Sequence, residues 1–395
     1  MTEWIECTLD KLGEIVGGAT PSTKCEDYYG GSIPWITPKD LSSFKGRYIT
    51  SGERNITEKG LASCSAQMMP KDAVLFTSRA PIGYVAIASQ SVCTNQGFKS
   101  IVVNDKADPL FVYYLLKYNK DAIEAMGSGT TFKEVSGKTM RAVKVRIPLD
   151  VSYQKRIAAV LDSLDTKIEN SERINDNLEQ QAQSYFQELF VDNADPEWAI
   201  GTISDLGTVV GGSTPSKAKP EYYTESGIAW ITPKDLSINK SKFVSHGEND
   251  ITELGLKNSS AAIMPRGTVL FSSRAPIGYI AIAAGEVTTN QGFKSVVPKP
   301  EIGTPFVYFF LKNTLPVIEG MASGSTFKEV SGSTMKNVPA VIPDVETLAK
   351  FSDFCAPIFA QQRILEEQNQ SLATLRDNLL PKLMSGEIDV SAVQL

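Results

Sequence analysis

The chain has 395 residues, 42% of them hydrophobic and 21% charged, which is the composition of a globular protein with room for two or three domains. No apolar run approaches the ~20 residues that span a bilayer, and the start, Met1-Thr2-Glu3-Trp4-Ile5-Glu6-Cys7, lacks the basic and apolar regions of a signal peptide. The net charge of −6 argues against a protein that grips nucleic acid by electrostatics alone.

That charge is unevenly spread. Residues 1–150 carry 18 Lys+Arg against 16 Asp+Glu, a net of +2, and residues 196–345 carry 13 against 13. Residues 151–195 have a net of −5 and residues 346–395 a net of −3. A basic face on the two longer segments is therefore compatible with the total. Five scattered cysteines, Cys7, Cys25, Cys64, Cys93 and Cys355, include no Cys-x-x-Cys pair. They suggest neither a disulfide framework nor a zinc site, and fit free thiols in a reducing cytoplasm.

The first module occupies residues 1–150. Gly17-Gly18-Ala19-Thr20-Pro21-Ser22 opens it, followed by Trp35-Ile36-Thr37-Pro38-Lys39-Asp40-Leu41. Short β-rich runs, residues 73–77 and 83–88, are bounded by Pro and Gly, and a helical patch follows at about 109–126. Residues 196–345 repeat all of this. Gly211 to Ser216, Trp230 to Leu236 and Thr326 to Gly332 return the earlier motifs, and residues 273–295 match residues 78–100 at 18 of 23 positions without a gap. The offset is 194 residues early in the module and 195 later, so one residue is inserted before Trp230. Two copies are too few for a solenoid and imply a two-lobed, pseudo-twofold molecule.

Each module is followed by a segment of another kind, 151–195 and 346–395. Residues 152–190 contain neither Gly nor Pro, and Ile157, Leu161, Leu164, Ile168, Ser171, Asn175, Leu178, Ala182, Tyr185 and Leu189 alternate steps of four and three, a heptad seam. Phe351, Cys355, Ile358, Gln362, Leu365, Asn369, Leu372, Arg376, Leu379 and Leu383 repeat it. Asn175 and Asn369 share one seam position, either setting register or marking a solvated helix end. Pro381 is expected to end or kink the second helix near Leu380. Neither helix can bury its stripe alone, so an antiparallel pair is expected, with a module at each end of a rod of about 57 Å. The fold class is α+β: two homologous globular domains joined by two long antiparallel coiled-coil helices.

The order module, helix, module, helix, the duplicated motifs above, Thr-Asn-Gln-Gly-Phe-Lys-Ser, Gly-(Thr/Ser)-Thr-Phe-Lys-Glu-Val at Gly129 and Gly324, and the tail from Leu379 to Ile388 together resemble the specificity subunit of type I restriction-modification systems. The resemblance covers essentially the whole chain. It implies a non-catalytic subunit whose target-recognition domains each read one half of a split double-stranded DNA site, with the paired helices as a spacer. It also implies docking of two methyltransferase subunits, which bind S-adenosylmethionine, and of restriction or translocase subunits, which use ATP and Mg, with no cofactor in this chain and no membrane.

The catalytic inventory is thin. His246 is the only histidine and faces Ser51 in the other copy, so a His triad or His-rich metal site has no basis. Gly137-Lys138-Thr139 ends like a P-loop, but Phe132 stands where the first Gly is needed, and the second copy reads Gly332-Ser333-Thr334. Asp40 with Asp235, and Glu134 with Glu329, are the acid pairs an enzyme with one site per lobe would need. A third reading is an interaction scaffold.

Candidate DNA contacts are the repeated cations and amides. Arg79 and Arg274, in Ser-Arg-Ala-Pro-Ile-Gly-Tyr, suit bidentate guanine reading or pairing with a carboxylate. Lys39 and Lys234 stand beside Asp40 and Asp235, for a phosphate, a base or a local ion pair. Lys45 with Arg47, and Lys240 with Lys242, keep charge but not residue type between the copies, as phosphate contacts or ordinary surface charge would. Gln96 and Gln291 suit adenine or a buried turn, and Lys99 and Lys294 follow them. Trp35 and Trp230 are expected in the core.

Overall fold

The structure is a computed structural model that describes residues 3–79, 81–129, 133–324 and 328–394. The chain divides into two compact units, Met1–Asn170 with Asn369–Leu395, and Ser171–Gln368. The cuts fall inside the two long helices, not at their starts. Each helix buries its first part against the module that precedes it and contributes its last part to the other unit.

In the first unit a five-stranded sheet has the order 13–17, 99–103, 74–78, 82–88, 48–49. Its strand Val74–Ser78 is buried throughout, as a central strand covered on both faces must be. One face carries the helix Pro109–Tyr118, which starts with Asp108 accepting from the Phe111 amide and Pro109 in the first turn. Phe111, Val112, Tyr114 and Leu116 of that helix join Val74, Phe76 and Ile101 of the sheet in one core. The other face packs Ile36, Leu41, Leu75, Ala86 and Phe98. A smaller sheet pairs Tyr29–Ile36 with Asn55–Ile56 and Cys93–Thr94, and Trp4–Thr8 pairs antiparallel with Lys144–Pro148.

The second unit repeats these elements in order. Its five-stranded sheet runs 207–211, 294–298, 269–273, 277–283, 243–244, and Thr304–Gly320 is the covering helix. Trp35 and Trp230 are both buried, as their motif position suggested.

The helices Val151–Gln187 and Val345–Ser385 are antiparallel within each unit. In the second, Asn175 and Gln362 exchange side-chain to backbone hydrogen bonds, and Phe186 packs on Phe351. In the first, Asp165 meets Arg376 and Tyr153 meets Asp389. Asn175 is therefore engaged across the pair and does not mark a solvated end. The stripes are not confined to a helix–helix seam. Ile157, Ala158 and Leu161 belong to the first module's core, and Leu348, Phe351, Cys355 and Ile358 to the second's. Burying apolar surface against a module already folded beside the helix is worth as much per unit area as burying it in a coiled coil.

One expectation is corrected. Pro381 does not end the second helix, which continues to Ser385. Leu379, Leu380, Leu383 and Met384 flank it and pack into the first unit's core, and Asp377, whose carbonyl loses its helical donor, is exposed. The stop is Gly386, at φ +79°, the left-handed conformation that closes a helix C-terminus. Among the described residues no helix is long and apolar enough to cross a membrane.

Candidate nucleic-acid interface

The repeated motifs are far apart in sequence, yet their backbones are hydrogen-bonded to one another in a chain. In the first unit the Ala19 amide donates to Thr94 O (3.0 Å), Asn95 to Ile36 O (3.0 Å), Ser78 to Gly97 O (2.7 Å) and Val135 to Ser78 O (2.8 Å). In the second, Ser213 donates to Thr289 O (2.9 Å), Asn290 to Ile231 O (3.0 Å), Ser273 to Gly292 O (2.7 Å) and Val330 to Ser273 O (3.0 Å). Five motif loops thus form one surface in each unit. The indole nitrogens of Trp35 and Trp230 reinforce it by donating to Ala19 O and Ser213 O, each at 3.0 Å.

Two residue choices become intelligible here. A Cβ on Gly18 would lie 2.1 Å from Asn95 O, and one on Gly212 would lie 2.0 Å from Asn290 O, so only glycine permits this approach. In Thr-Pro-Lys-Asp, Thr37 and Thr232 cap a short helix with Pro at its start, and the Asp three residues on closes a capping box. Asp40 Oδ2 accepts from the Thr37 amide (2.7 Å) and Oδ1 from the Glu53 amide (2.7 Å). Asp235 does the same with Thr232 (2.7 Å) and Glu248 (2.8 Å). These carboxylates are committed to the backbone, so the acid pair Asp40 and Asp235 is structural.

On this surface Arg79 and Lys99 converge on Glu134, at 4.0 and 3.6 Å, and Arg274 and Lys294 on Glu329, at 3.4 and 3.7 Å. The arginines remain more than a third exposed, whereas the lysines are 16% exposed. Lys99 and Lys294 therefore hold the glutamate, and the arginines lean outward over it. Glu134 and Glu329 were legible in the sequence only as an acid pair; their partners are set by folding. Gln96 and Gln291 are exposed, each accepting from the preceding motif's threonine, Thr20 and Thr214. The Asn-Gln-Gly-Phe turn is held by Asn95 and Asn290, whose side chains accept from the Gly97 and Gly292 amides at 2.8 Å.

In the second unit Lys234, Arg274 and Gln291 line a single groove of about 640 Å³, with Tyr223, Trp230, Asn249 and Asn290. Lys234 stands at its edge, paired with Glu248 (2.6 Å), and in the first unit Lys39 is paired with Glu53 (2.7 Å); both are exposed ion pairs that contribute little stability and exchange readily. Lys45 and Lys240 are exposed; Lys240 lies 4.5 Å from the Tyr279 ring centre. His246 is exposed beside Asp250, 3.1 Å away. The described residues include no group of three or more His, Cys, Asp or Glu side chains placed to hold a metal ion. Residues 130–132 and 325–327, part of the Gly-(Thr/Ser)-Thr-Phe motif, lie outside the described residues.

Arg47 and Lys242 require a correction. Neither is a surface cation: their side chains are 7% and 6% exposed. Arg47 donates to Asp162 (2.6 Å), Thr166 (2.8 Å) and Glu169 (3.1 Å) on the central helix. Lys242 meets Glu179 (2.5 Å) and Gln362 (2.7 Å), and Lys312 and Tyr308 join the same carboxylate at 2.5 and 3.1 Å. Burial alone would raise the Glu179 carboxyl, but Lys242 and Lys312 outweigh it and hold it below its ordinary range. A cation so enclosed reaches no phosphate. Its kept charge between the copies reflects a clasp between module and helix.

The family model "Type I restriction modification DNA specificity domain" matches residues 1–180 and again 196–375. The chain is 32% identical to the type I restriction enzyme MjaIX specificity subunit of Methanocaldococcus jannaschii, over 98% of this chain and 94% of that one. It is 23% identical to the HindI specificity subunit of Haemophilus influenzae, over 73% and 80%. The crystal structure of a type I restriction-modification S subunit from M. genitalium superposes with a TM-score of 0.62 at 18% identity, over 97% and 96% of the two chains.

Proposed function

Since the chain belongs to the family of the type I restriction modification DNA specificity domain, we propose that each of its two units reads one half of a bipartite, near-palindromic DNA site. The chain is a specificity subunit, a component for DNA recognition and not an enzyme. The paired helices set the gap between half-sites and dock two methyltransferase subunits. Those partners carry S-adenosylmethionine, and restriction subunits with ATP and Mg join them.

The observation that supports this reading is the duplicated surface. Arg79 with Lys99 and Gln96, and Arg274 with Lys294 and Gln291, occupy equivalent places on loops zipped by equivalent hydrogen bonds. An arginine that leans out of a rigid loop array suits a guanine edge, an exposed glutamine suits adenine, and Lys39, Lys234, Lys45 and Lys240 suit phosphates. With the modules near neutral, partner subunits supply further positive surface and strengthen binding.

Mapping methylated positions across the host genome tests the proposal. The expected motif has two similar halves in inverted orientation, separated by about six to eight unread base pairs so that their centres lie near one helical turn apart. Unrelated halves would sink the symmetry. DNA binding by the partner-loaded complex that ignores sequence and salt would favour a scaffold instead.

A further inference from the structure

The two reading surfaces are alike in Arg, Lys, Gln and Glu, so any difference between the half-sites must come from groove residues that the duplication has not preserved. Two residues lining the second unit's groove differ between the copies: Lys217, whose counterpart is Thr23, and Asn249, beside Arg274 and Gln291. A lysine or a threonine suits a phosphate or more than one base, so the pair with a distinct base preference is the one at Asn249. The equivalent of Asn249 is Arg54. The equivalence rests on geometry as well as sequence. The preceding residue, Glu53 or Glu248, donates its amide to Asp40 or Asp235 and binds Lys39 or Lys234 in both units. The following residue pairs with Pro34 or Ala229, Asn55 in one copy and Asp250 in the other. Arg54 and Asn249 therefore leave the same point of the same backbone. The charge of Arg54 also acts on Tyr29 and on Glu53, the counterparts of Tyr223 and Glu248, which line the groove of the second unit. Both residues are exposed, and neither side chain makes a hydrogen bond or ion pair to another described residue.

Arginine and asparagine at one position carry different base preferences. Arginine forks onto guanine O6 and N7, and asparagine pairs with adenine N6 and N7. Resting on the proposed reading of one half-site per unit, we propose that Arg54 and Asn249 are the residues that make the two half-sites differ, Arg54 selecting a guanine and Asn249 an adenine at the corresponding position. The rest of each half-site, read by the shared side chains, is common to both. The site is then a near-palindrome broken at one base pair.

The test uses the full chain assembled with its methyltransferase subunits and a plasmid library with both half-sites randomised, sequenced for methylation. The wild type should select two halves that differ at one position, guanine in one and adenine in the other. Arg54→Asn should convert that guanine to adenine and leave the other half untouched, and Asn249→Arg should do the converse. Preference at that position should change by roughly 10- to 100-fold, with Tm unmoved because both side chains are exposed. If the wild type selects a bipartite motif and both variants keep it at every position, the assignment of Arg54 and Asn249 is overturned while the half-site reading stands. If the wild type selects no bipartite motif, the half-site reading fails and takes the assignment with it.

Discussion

Arg47 and Asp162, 115 residues apart in sequence, meet at 2.6 Å and lock the first module to the helix that follows it. In the second unit the equivalent position, Lys242, uses another chemistry and meets Glu179 of the central helix, which precedes its module instead of following it. A reading surface is useful only if it is held at a fixed angle to the helices that space it. Burying a charged pair at the joint enforces that angle, because any tilt strands a charge in apolar surroundings.

Replacing Arg47 by Ala leaves Asp162 and Glu169 without their partner in a partly dry site. We expect a loss of about 2–4 kcal/mol, seen as a drop in Tm on the order of 5–10 °C for a unit of this size, with the base preference of the assembled complex unchanged. An unchanged Tm together with weakened, less salt-sensitive DNA binding would return Arg47 to the phosphate contacts.

Acid should weaken the second unit in a defined way. The folded Glu179 carboxyl lies below its ordinary value of 4.5, so its contribution is fully present above that value and is lost as pH falls through the lower, folded value. Denaturant titrations of the full chain from pH 6 down to 3 should show this loss, and Glu179→Gln should be less stable at pH 6 and flatter across the range. A variant that parallels the wild type at every pH would contradict the argument.

The tandem glycines give an internal control. Gly17→Ala meets nothing within 4 Å, whereas Gly18→Ala places a methyl 2.1 Å from Asn95 O. Gly18→Ala should cost about 1–3 kcal/mol and blur the half-site read by the first unit alone, as methylation of the randomised library would reveal. Equal tolerance of both substitutions would mean that the loop contact is not required.

Arg79→Ala and Arg274→Ala should each relax base choice in one half-site, by about 1–3 kcal/mol of discrimination. Glu134→Gln and Glu329→Gln, which release the arginine and lysine from their shared carboxylate, should shift preference without abolishing binding. If the Arg→Ala variants keep the wild-type motif and lose only stability, both arginines are structural ion-pair partners.

Much of this molecule was legible before folding. The motif Trp-Ile-Thr-Pro-Lys-Asp-Leu announces a capped helix start because capping is settled within four residues. The heptad pattern locates both helices because amphipathic periodicity is local. Of the two outcomes expected at Pro381, an end or a kink, the end is excluded, because the helix runs on to Ser385. Whether a proline is tolerated depends on what its neighbours bury, and Leu379, Leu383 and Met384 have a core to enter.

By itself, the sequence determined the duplication, the two helices, the family and the set of cations and amides worth testing, since each of these is written in local spacing or in the comparison of one copy with the other. Only the tertiary structure decided which of those cations are free. Lys45 and Arg47 stand two residues apart and read alike, yet one is exposed and the other lies under the central helix with Asp162, Thr166 and Glu169 around it. The same holds for Lys240 and Lys242. A charge does not announce its partner when the carboxylate lies 115 residues away, as Asp162 does from Arg47, or 63, as Glu179 does from Lys242. Burial and pairing are properties of the packed chain, and they separate a side chain that can reach DNA from one that holds the reader in place.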